Sequence, residues 1–247
     1  MATTSTSSRD QDSYDRSTKD VKAFFDSWTI YQKAMNANYF GHREAYRALG
    51  SLLIRKFARG FSLIDFGCGD ASFMSTALKG TTIEKYIGIE ISVVALELAR
   101  KNLAEIRCDR VLIEGDLLSV AEELDITADI IWIGLSLHHL PLEEKDRFFR
   151  ASRRLLNPGG YLIFLEPTCL EGEDRYEHAR RWWDICQRKW TVLSLPEMEL
   201  LRDHIFSADY PETLEAIQTL ATRNGFREVR SMFQDPDQLY EMVRVAV

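Results

Sequence analysis

Short apolar runs alternate with longer segments whose apolar residues recur at three- and four-residue spacing along most of the chain. Runs of this length between turn residues are typical of buried parallel strands rather than helices. Strands that alternate with helices through short connections predict β-α-β units and a doubly wound, mostly parallel sheet. The predicted strands are Phe61–Phe66, Tyr86–Ile89, Val111–Ile113, Asp129–Gly134 and Tyr161–Leu165, with two closing strands at Phe226–Phe233 and Leu239–Val247.

Helical spacing dominates the regions before and after these five central strands. Amphipathic patterns predict N-terminal helices over Thr18–Met35 and Arg43–Phe57. The stretch from Pro167 to Asp209 is helical in pattern and too long for a plain connection, so we expect a helical cap over the sheet edge. Asp209 to Glu212 predicts a capping box for a further helix, which Gly225 ends.

The domain organisation follows from the same pattern. Residues 1–16 are polar and predict a disordered tail. Residues 17–247 predict a single domain, with N-terminal helices over 17–58 and the cap inserted at 167–209. A length of 247 residues suits one α/β domain of this kind.

The turn after the first predicted strand is the strongest candidate for a ligand site. Gly67 and Gly69 lack a Cβ and adopt positive φ readily, so the backbone folds tightly and a ligand can approach its amides. Asp70 to Ser72 then opens a helix whose free N–H groups face the same ligand. A two-glycine turn alone is a weak signal, because many nucleotide-binding and purely structural turns share it.

Two acidic residues restrict the chemical class of ligand that this turn could bind. Asp65 precedes the first glycine by two residues, and a pyrophosphate would be repelled by that carboxylate. Ser72 occupies the third glycine position of a dinucleotide fingerprint. Glu90 ends the second predicted strand, where a carboxylate accepts hydrogen bonds from both ribose hydroxyls. An acidic pocket favours a ligand with a ribose, no phosphate and a cationic centre, and S-adenosylmethionine has this composition.

At this point the sequence resembles the class I S-adenosylmethionine-dependent methyltransferases of the small-molecule type. The matching segments are Asp65-Phe-Gly-Cys-Gly69, Glu90, Gly115-Asp116, Leu137-His-His-Leu140 and Leu156-Asn-Pro-Gly-Gly160. The resemblance implies a Rossmann-like methyltransferase fold of seven strands with the last one antiparallel. It also implies that a carboxylate at Asp116 meets the adenine amino group and that Leu117 packs on the ring. The expected cofactor-binding residues are Asp65, Gly67, Cys68, Gly69, Glu90, Ile91, Asp116, Leu117 and Leu135.

The expected activity is methyl transfer from S-adenosylmethionine to an oxygen or nitrogen of a small metabolite by in-line displacement. A histidine near the fourth strand suits proton removal because its pKa lies near working pH. The catalytic candidates are therefore His139, His138 and Glu166. Aromatic and amide side chains of the N-terminal helices and the cap are the substrate candidates, namely Tyr14, Tyr31, Asn38, Tyr39, Trp182 and Trp183.

Charge and cysteine content limit the other readings. A net charge of −7 without a basic block argues against nucleic acid as the usual partner. Four widely spaced cysteines predict neither a zinc site nor a disulfide framework, and we expect no metal. No signal peptide or transmembrane run is evident, so a cytoplasmic protein is expected. Methylation of RNA or protein, an NAD(P)-dependent reductase and a non-catalytic cofactor-binding protein stay open as alternatives.

Overall fold

A computed structural model describes residues 29–247. The expected tail at 1–16, Tyr14 and the first part of the Thr18–Met35 helix lie outside the described residues. Residues 29–36 are the described part of helix α1. In the described range, no helix has both the length and the apolar character needed to cross a bilayer.

Helices and strands alternate after α1, as the sequence pattern predicts. The central elements are α2 His42–Lys56, β1 Phe61–Phe66, α3 Ser72–Ala77, β2 Ile83–Glu90, α4 Val93–Asn102, β3 Asp109–Glu114, α5 Leu117–Glu123, β4 Ala128–Gly134, α6 Leu142–Leu155 and β5 Leu156–Cys169. The remaining elements are α7 Arg175–Lys189, α8 Leu195–Ala208, β6 Glu212–Thr213, α9 Leu214–Arg223, β7 Glu228–Gln234 and β8 Tyr240–Ala246.

Seven strands form one twisted path in the order β3-β2-β1-β4-β5-β8-β7. Strands β1 to β5 pair in parallel, whereas β8 pairs antiparallel with both β5 and β7. The two-residue β6 pairs with the end of β5, off this path. The strand order reverses between β1 and β4, so the carboxyl ends of these strands flank the crevice where doubly wound sheets bind ligands. The predicted mostly parallel sheet with an antiparallel last strand is confirmed.

Both faces of the sheet are covered by helices, which explains the nearly continuous apolar strands. Leu63, Trp132 and Ile163 point to one face, which packs against helices of the N-terminal region and of the cap. Ile64 and Phe164 point to the other face, which α5, α6 and α9 cover. The cap, α7 and α8, therefore lies on the same side of the sheet as α2.

One local sequence prediction is wrong. Asp209 does not cap α9: Thr213 does, since its side chain accepts a hydrogen bond from the Ala216 N–H at 3.1 Å. The Glu212 carboxylate bonds to Lys145 instead, at 2.7 Å. The Asn157-Pro-Gly-Gly160 turn lies within β5 as an irregularity, because Leu156 and Tyr161 face Ala128 and Ile130 across the ladder.

Helix α2 packs closely on α3 at Gly50, which yields a test of the fold. A Cβ at this position would lie 2.9 Å from the Ala77 carbonyl oxygen. We expect Gly50→Ala to lower the free energy of unfolding by about 1–3 kcal/mol, because overpacking outweighs the gain of up to ~1 kcal/mol in helix propensity. Urea denaturation measures the change.

Ser51→Ala is the matched control, since Ser51 is only half-buried in the same helix. We expect this variant to be neutral or slightly stabilised. Equal or higher stability for Gly50→Ala would contradict the close approach of α2 to α3.

Candidate active site

The glycine turn after β1 is held by the strands on both sides of it. Gly67 has φ +68°, and a Cβ there would lie 2.3 Å from the Ser136 hydroxyl oxygen, so only glycine fits without movement. The Cys68 N–H donates to the Ile89 carbonyl at 3.0 Å. The turn is thus pressed between the ends of β2 and β4, where its amides border the crevice.

Glu90 ends β2 and stabilises this turn. One carboxylate oxygen accepts from the Gly69 N–H at 3.1 Å, and the other from the Ser92 N–H at 2.9 Å. An ionised carboxylate has about four acceptor positions, so two are left for a ligand. This arrangement fits a group that receives hydrogen bonds from two neighbouring hydroxyls.

Asp65 is buried one strand away, with 1% of its surface exposed. The Tyr86 hydroxyl donates to Oδ2 at 2.7 Å, while Oδ1 has no hydrogen-bond partner among the described residues. Burial raises the pKa of Asp65 to about 7, against the hydrogen bond from Tyr86 and with a further rise from Glu90. A buried acceptor without a partner costs free energy, and a cationic or N–H-bearing ligand would relieve that cost.

The remaining cofactor candidates lie around the same edge. Asp116 caps α5, and its Oδ1 accepts from both the N–H and the hydroxyl of Ser119 at 2.9 Å. Leu117 follows it and is half-buried, whereas Ile91 is 70% exposed. Leu135 has φ +53°, an uncommon conformation for leucine, while its N–H donates to Leu165 at 2.8 Å. Backbone strain of this kind clusters at functional sites.

Glu166 holds the turn that follows β4. Its carboxylate accepts from the N–H groups of Ser136, Leu137 and His138 at 3.0, 2.9 and 3.2 Å. The same carboxylate lies 2.5 Å from Nδ1 of His138. Only 5% of Glu166 is exposed. These four contacts make Glu166 a positioning group for the turn and for His138, rather than a free carboxylate facing a substrate.

Three histidines surround one carboxylate oxygen beside this turn. Oδ1 of Asp209 lies 3.5 Å from Nδ1 of His139, 3.7 Å from Nε2 of His138 and 3.6 Å from Nε2 of His204. Burial alone would raise the pKa of Asp209, but the three imidazoles lower it below its usual value. The pKa of His138 is raised by Glu166 and Asp209 although burial opposes this. The cluster therefore favours an ionised Asp209.

A cavity of about 520 Å³ opens beside this cluster, between the strand ends and the cap. Its walls combine aromatic and aliphatic side chains with four of the chain's five histidines. They are formed by Ile30, Tyr31 and Phe40 from the N-terminal region, by Leu135, His138, His139 and Pro167 from the strand ends, and by His178, Trp182, Leu200, Leu201, His204, Ile205, Asp209 and Tyr240. The volume is in the range of small-molecule sites.

Tyr31 links this cavity to the candidate cofactor crevice. Burial raises its pKa, and the carboxylates of Asp70, Glu166 and Glu90 add to the rise. Tyr31 therefore lies within electrostatic reach of acidic groups at three strand ends.

The predicted substrate residues divide into two groups. Tyr31 and Trp182 line the cavity, and the Trp182 indole N–H donates to the Tyr240 hydroxyl at 2.8 Å. Asn38, Tyr39 and Trp183 are absent from the cavity lining. Asn38 bonds Glu44 and the Arg43 N–H in a local turn. Tyr39 stacks on Trp190 and accepts from the Thr191 N–H at 2.7 Å, and Trp183 packs beside Arg202.

Sequence reasoning missed several members of the cavity. The sequence pattern predicts a helix-capping role for Asp209, while His178 and His204 lie in the helical cap without any motif. The available signal was composition: the chain has only five histidines, and two of them occur in the segment that covers the sheet edge. Their convergence on one carboxylate depends on how the cap folds back, which no local pattern encodes.

Comparison with known proteins agrees with this geometry. The family described as "Methyltransferase domain" matches residues 64–162, which run from β1 into β5. This match and the relatives described below support a class I S-adenosylmethionine-dependent methyltransferase. Its matched segment contains the glycine turn, Glu90, Asp116 and the histidine pair.

Several methyltransferases are similar to this one in sequence or fold. An uncharacterized methyltransferase of Bacillus cytotoxicus is 27% identical over 157 residues, which cover 62% of this chain and 70% of the relative. The 27-O-demethylrifamycin SV methyltransferase of Amycolatopsis mediterranei is 27% identical over 199 residues, or 76% of this chain and 66% of that enzyme.

Among solved structures, magnesium protoporphyrin IX methyltransferase from Synechocystis, with bound SAH, shares the fold. Its TM-score is 0.62 at 14% identity, with 91% of this chain and 94% of that one covered. The mitomycin 7-O-methyltransferase has a TM-score of 0.56 at 17% identity, covering 89% of this chain but only 60% of its own. This methyltransferase thus spans less than two thirds of some relatives.

The buried Asp65 predicts a pH dependence of stability. Its pKa is about 7 in the folded chain and 3.8 as an ordinary aspartate, so the folded state holds the proton longer. The free energy of unfolding then falls as pH rises from about 4 to about 7 and levels off above. Asp65→Asn lacks this loss, so its stability should exceed that of wild type by up to a few kcal/mol at pH 8.

Urea denaturation between pH 5 and pH 8 measures the difference. Asp203→Asn serves as the control because the Asp203 side chain is 69% exposed, and its difference from wild type should not change with pH. A constant gap between Asp65→Asn and wild type across this range would contradict the raised pKa.

Proposed function

We propose that this enzyme transfers a methyl group from S-adenosylmethionine to an oxygen or nitrogen of a small metabolite held in the 520 Å³ cavity. The observation that carries the proposal is the position of this cavity. It begins at Leu135, a member of the candidate cofactor set, and it is walled by the histidine pair after β4. A substrate there would meet the crevice edge and the histidines at once.

The chain's own residues fit the cofactor. Glu90 has acceptor positions left for a ribose, and Asp65 carries a buried oxygen that lacks a partner among the described residues. Oδ1 of Asp116 takes both bonds from Ser119, which leaves Oδ2 directed by the same cap for an amino group. We assign ribose binding to Glu90 and adenine binding to Asp116 and Leu117, with the glycine turn against the rest of the cofactor.

When bound, the cofactor supplies an electrophilic methyl group: the bond from carbon to the acceptor oxygen or nitrogen forms while the carbon–sulfur bond breaks, and the electron pair stays on sulfur. The chain supplies position and exclusion of water. It also removes the acceptor's proton, a role for which His139 in the cavity wall is the candidate. Glu166 acts on this chemistry through the turn that it holds.

The small-metabolite substrate is supported by the shape and lining of the site. Tyr31, Phe40 and Trp182 give the cavity aromatic walls beneath the cap, which suits a flat or apolar acceptor more than a polymer. Two of the similar proteins are named 27-O-demethylrifamycin SV methyltransferase and mitomycin 7-O-methyltransferase, and these names are in keeping with such an acceptor. Cytoplasmic location and a single domain over 17–247 stay predictions.

Methyl transfer from labelled S-adenosylmethionine tests the proposal. The acceptors are a panel of low-mass phenols, alcohols and amines, with transfer RNA and unfolded protein as the other two classes. We expect label in small molecules. Label that enters only RNA or only protein would overturn the proposed substrate class, and oxidation of NADPH without methyl transfer would overturn the reaction.

Glu90 gives a direct test of the cofactor site. We expect Glu90→Ala to weaken binding of S-adenosylmethionine on the order of 100-fold, because two charge-assisted hydrogen bonds are lost. Calorimetric titration measures the affinity, and thermal melting shows that the chain is folded. Glu84→Ala, an exposed change in the same strand, should bind like wild type. Equal affinity in both variants would refute the role of Glu90.

A variant of His139 distinguishes a role in methyl transfer from a role in cofactor binding. We expect His139→Ala to retain cofactor affinity within about threefold but to slow methyl transfer by roughly 100-fold or more, since acid–base assistance contributes in this range. Single-turnover kinetics with any acceptor from the panel give the rate. A loss of cofactor affinity with an unchanged rate would make His139 part of the cofactor pocket instead.

A further inference from the structure

Asp209 is surrounded by imidazole nitrogens of three histidines. Its Oδ1 is buried and has no hydrogen-bond partner among the described residues. Yet ring nitrogens of His138, His139 and His204 lie 3.5 to 3.7 Å away. These distances exceed the usual ~2.9 Å of a hydrogen bond. They approach the ~3.3–3.4 Å that separates ligands around a tetrahedral ion with bonds of ~2.0–2.1 Å.

The protonation of His138 suits a metal ligand. Its Nδ1 faces the Glu166 carboxylate at 2.5 Å, so we assign the ring proton to Nδ1, which donates a hydrogen bond to the carboxylate. In the neutral ring this leaves the lone pair on Nε2, the nitrogen that faces Asp209. In metal sites, the ring nitrogen of a histidine that does not bind the metal usually donates a hydrogen bond to a carboxylate or carbonyl, which orients the ring. Glu166 in turn is fixed by three backbone N–H groups.

Ligand atoms from His138, His139 and Asp209 all lie within 4.8 Å of one another. His138 and Asp209 are buried, which limits their movement, whereas the His139 side chain is 42% exposed toward the cavity. His204 is 52% exposed on α8 and approaches the same oxygen. The cluster thus has two buried candidate ligands, a third at the cavity surface and a fourth, His204, on the cap.

We propose that His138, His139 and Asp209 bind a divalent first-row transition-metal ion, with His204 as a fourth ligand. Two or three imidazoles with one carboxylate suit zinc and its neighbours better than magnesium or calcium, which prefer oxygen ligands. This site was not expected from the sequence, because its ligands come from two distant segments.

An ion here would act on the acceptor. It faces the cavity, and a hydroxyl oxygen bound to it would have a lowered pKa and lose its proton to solvent before methyl transfer, so that His139 would then act as a metal ligand and not as the base. This last step rests on the proposed function, whereas metal binding itself does not. The test therefore measures binding without cofactor or acceptor.

The experiment uses the full chain after treatment with a chelator. Titration with Co²⁺ is followed by its visible absorption, and Zn²⁺ affinity is obtained by competition with a chromophoric chelator. We expect one equivalent of either ion per chain, with Co²⁺ showing the intense absorption of a four-coordinate site. His139→Ala and Asp209→Asn should each weaken Zn²⁺ binding by at least tenfold, and Glu166→Gln by roughly 10- to 100-fold.

Asp203→Asn is the matched control, because it removes a carboxylate from α8 at an exposed position and should bind Zn²⁺ like wild type. His204→Ala covers the case in which the buried variants fail to fold, since an exposed side chain is lost; its affinity should fall at least threefold. Absence of stoichiometric binding overturns the proposal, as does binding that none of these ligand variants weakens. Methyl transfer that persists in chelator without metal binding would reject the ion and leave the proposed function intact.

Discussion

The Glu166 carboxylate is the interaction on which the site depends. It lies near the carboxyl end of β5, yet its hydrogen bonds go to the backbone that follows β4 and to the ring of His138. Removal of this buried carboxylate would leave three N–H groups without an acceptor in a place that water barely reaches. The turn would then lose its shape, and His138 its orientation. Glu166 thus connects β5 to the turn after β4 and fixes the orientation of His138.

The cap is coupled to the same turn. The Tyr210 N–H, just after α8, donates to the His138 carbonyl at 2.7 Å. The buried Lys145 of α6 bonds both the Tyr210 carbonyl and the Glu212 carboxylate. These contacts fix the segment that carries Asp209 against the strand ends. Movement of α8 would therefore change the cavity and the histidine cluster together.

The features that sequence predicts well are those with a local physical cause. The apolar runs located five parallel strands because a strand covered on both faces must be apolar. The acids at strand ends were found because parallel strands place their carboxyl ends at one edge. Gly67 and Leu135 were located for the same reason, although the positive φ of Leu135 was not foreseen.

The features that sequence did not predict depend on contacts across the fold. Asp209 and Glu212 have the spacing of a capping box, but Lys145 takes the Glu212 carboxylate and three histidines surround Asp209. Asn38 and Tyr39 carry groups suited to a substrate, yet their own neighbours satisfy them. A short polar pattern cannot show which of several possible partners a side chain bonds to in the fold, because burial and distance decide that.

We expect the acidic crevice to bind a cationic, phosphate-free nucleoside. Calorimetric titration of the wild-type chain with S-adenosylmethionine, S-adenosylhomocysteine and NADPH, at one pH above 7, tests it most directly. We expect binding of the two sulfur compounds, tighter for the cation that Asp65 and Glu90 favour, and no binding of NADPH. Binding of NADPH alone would contradict the assignment of the crevice from Asp65 outward.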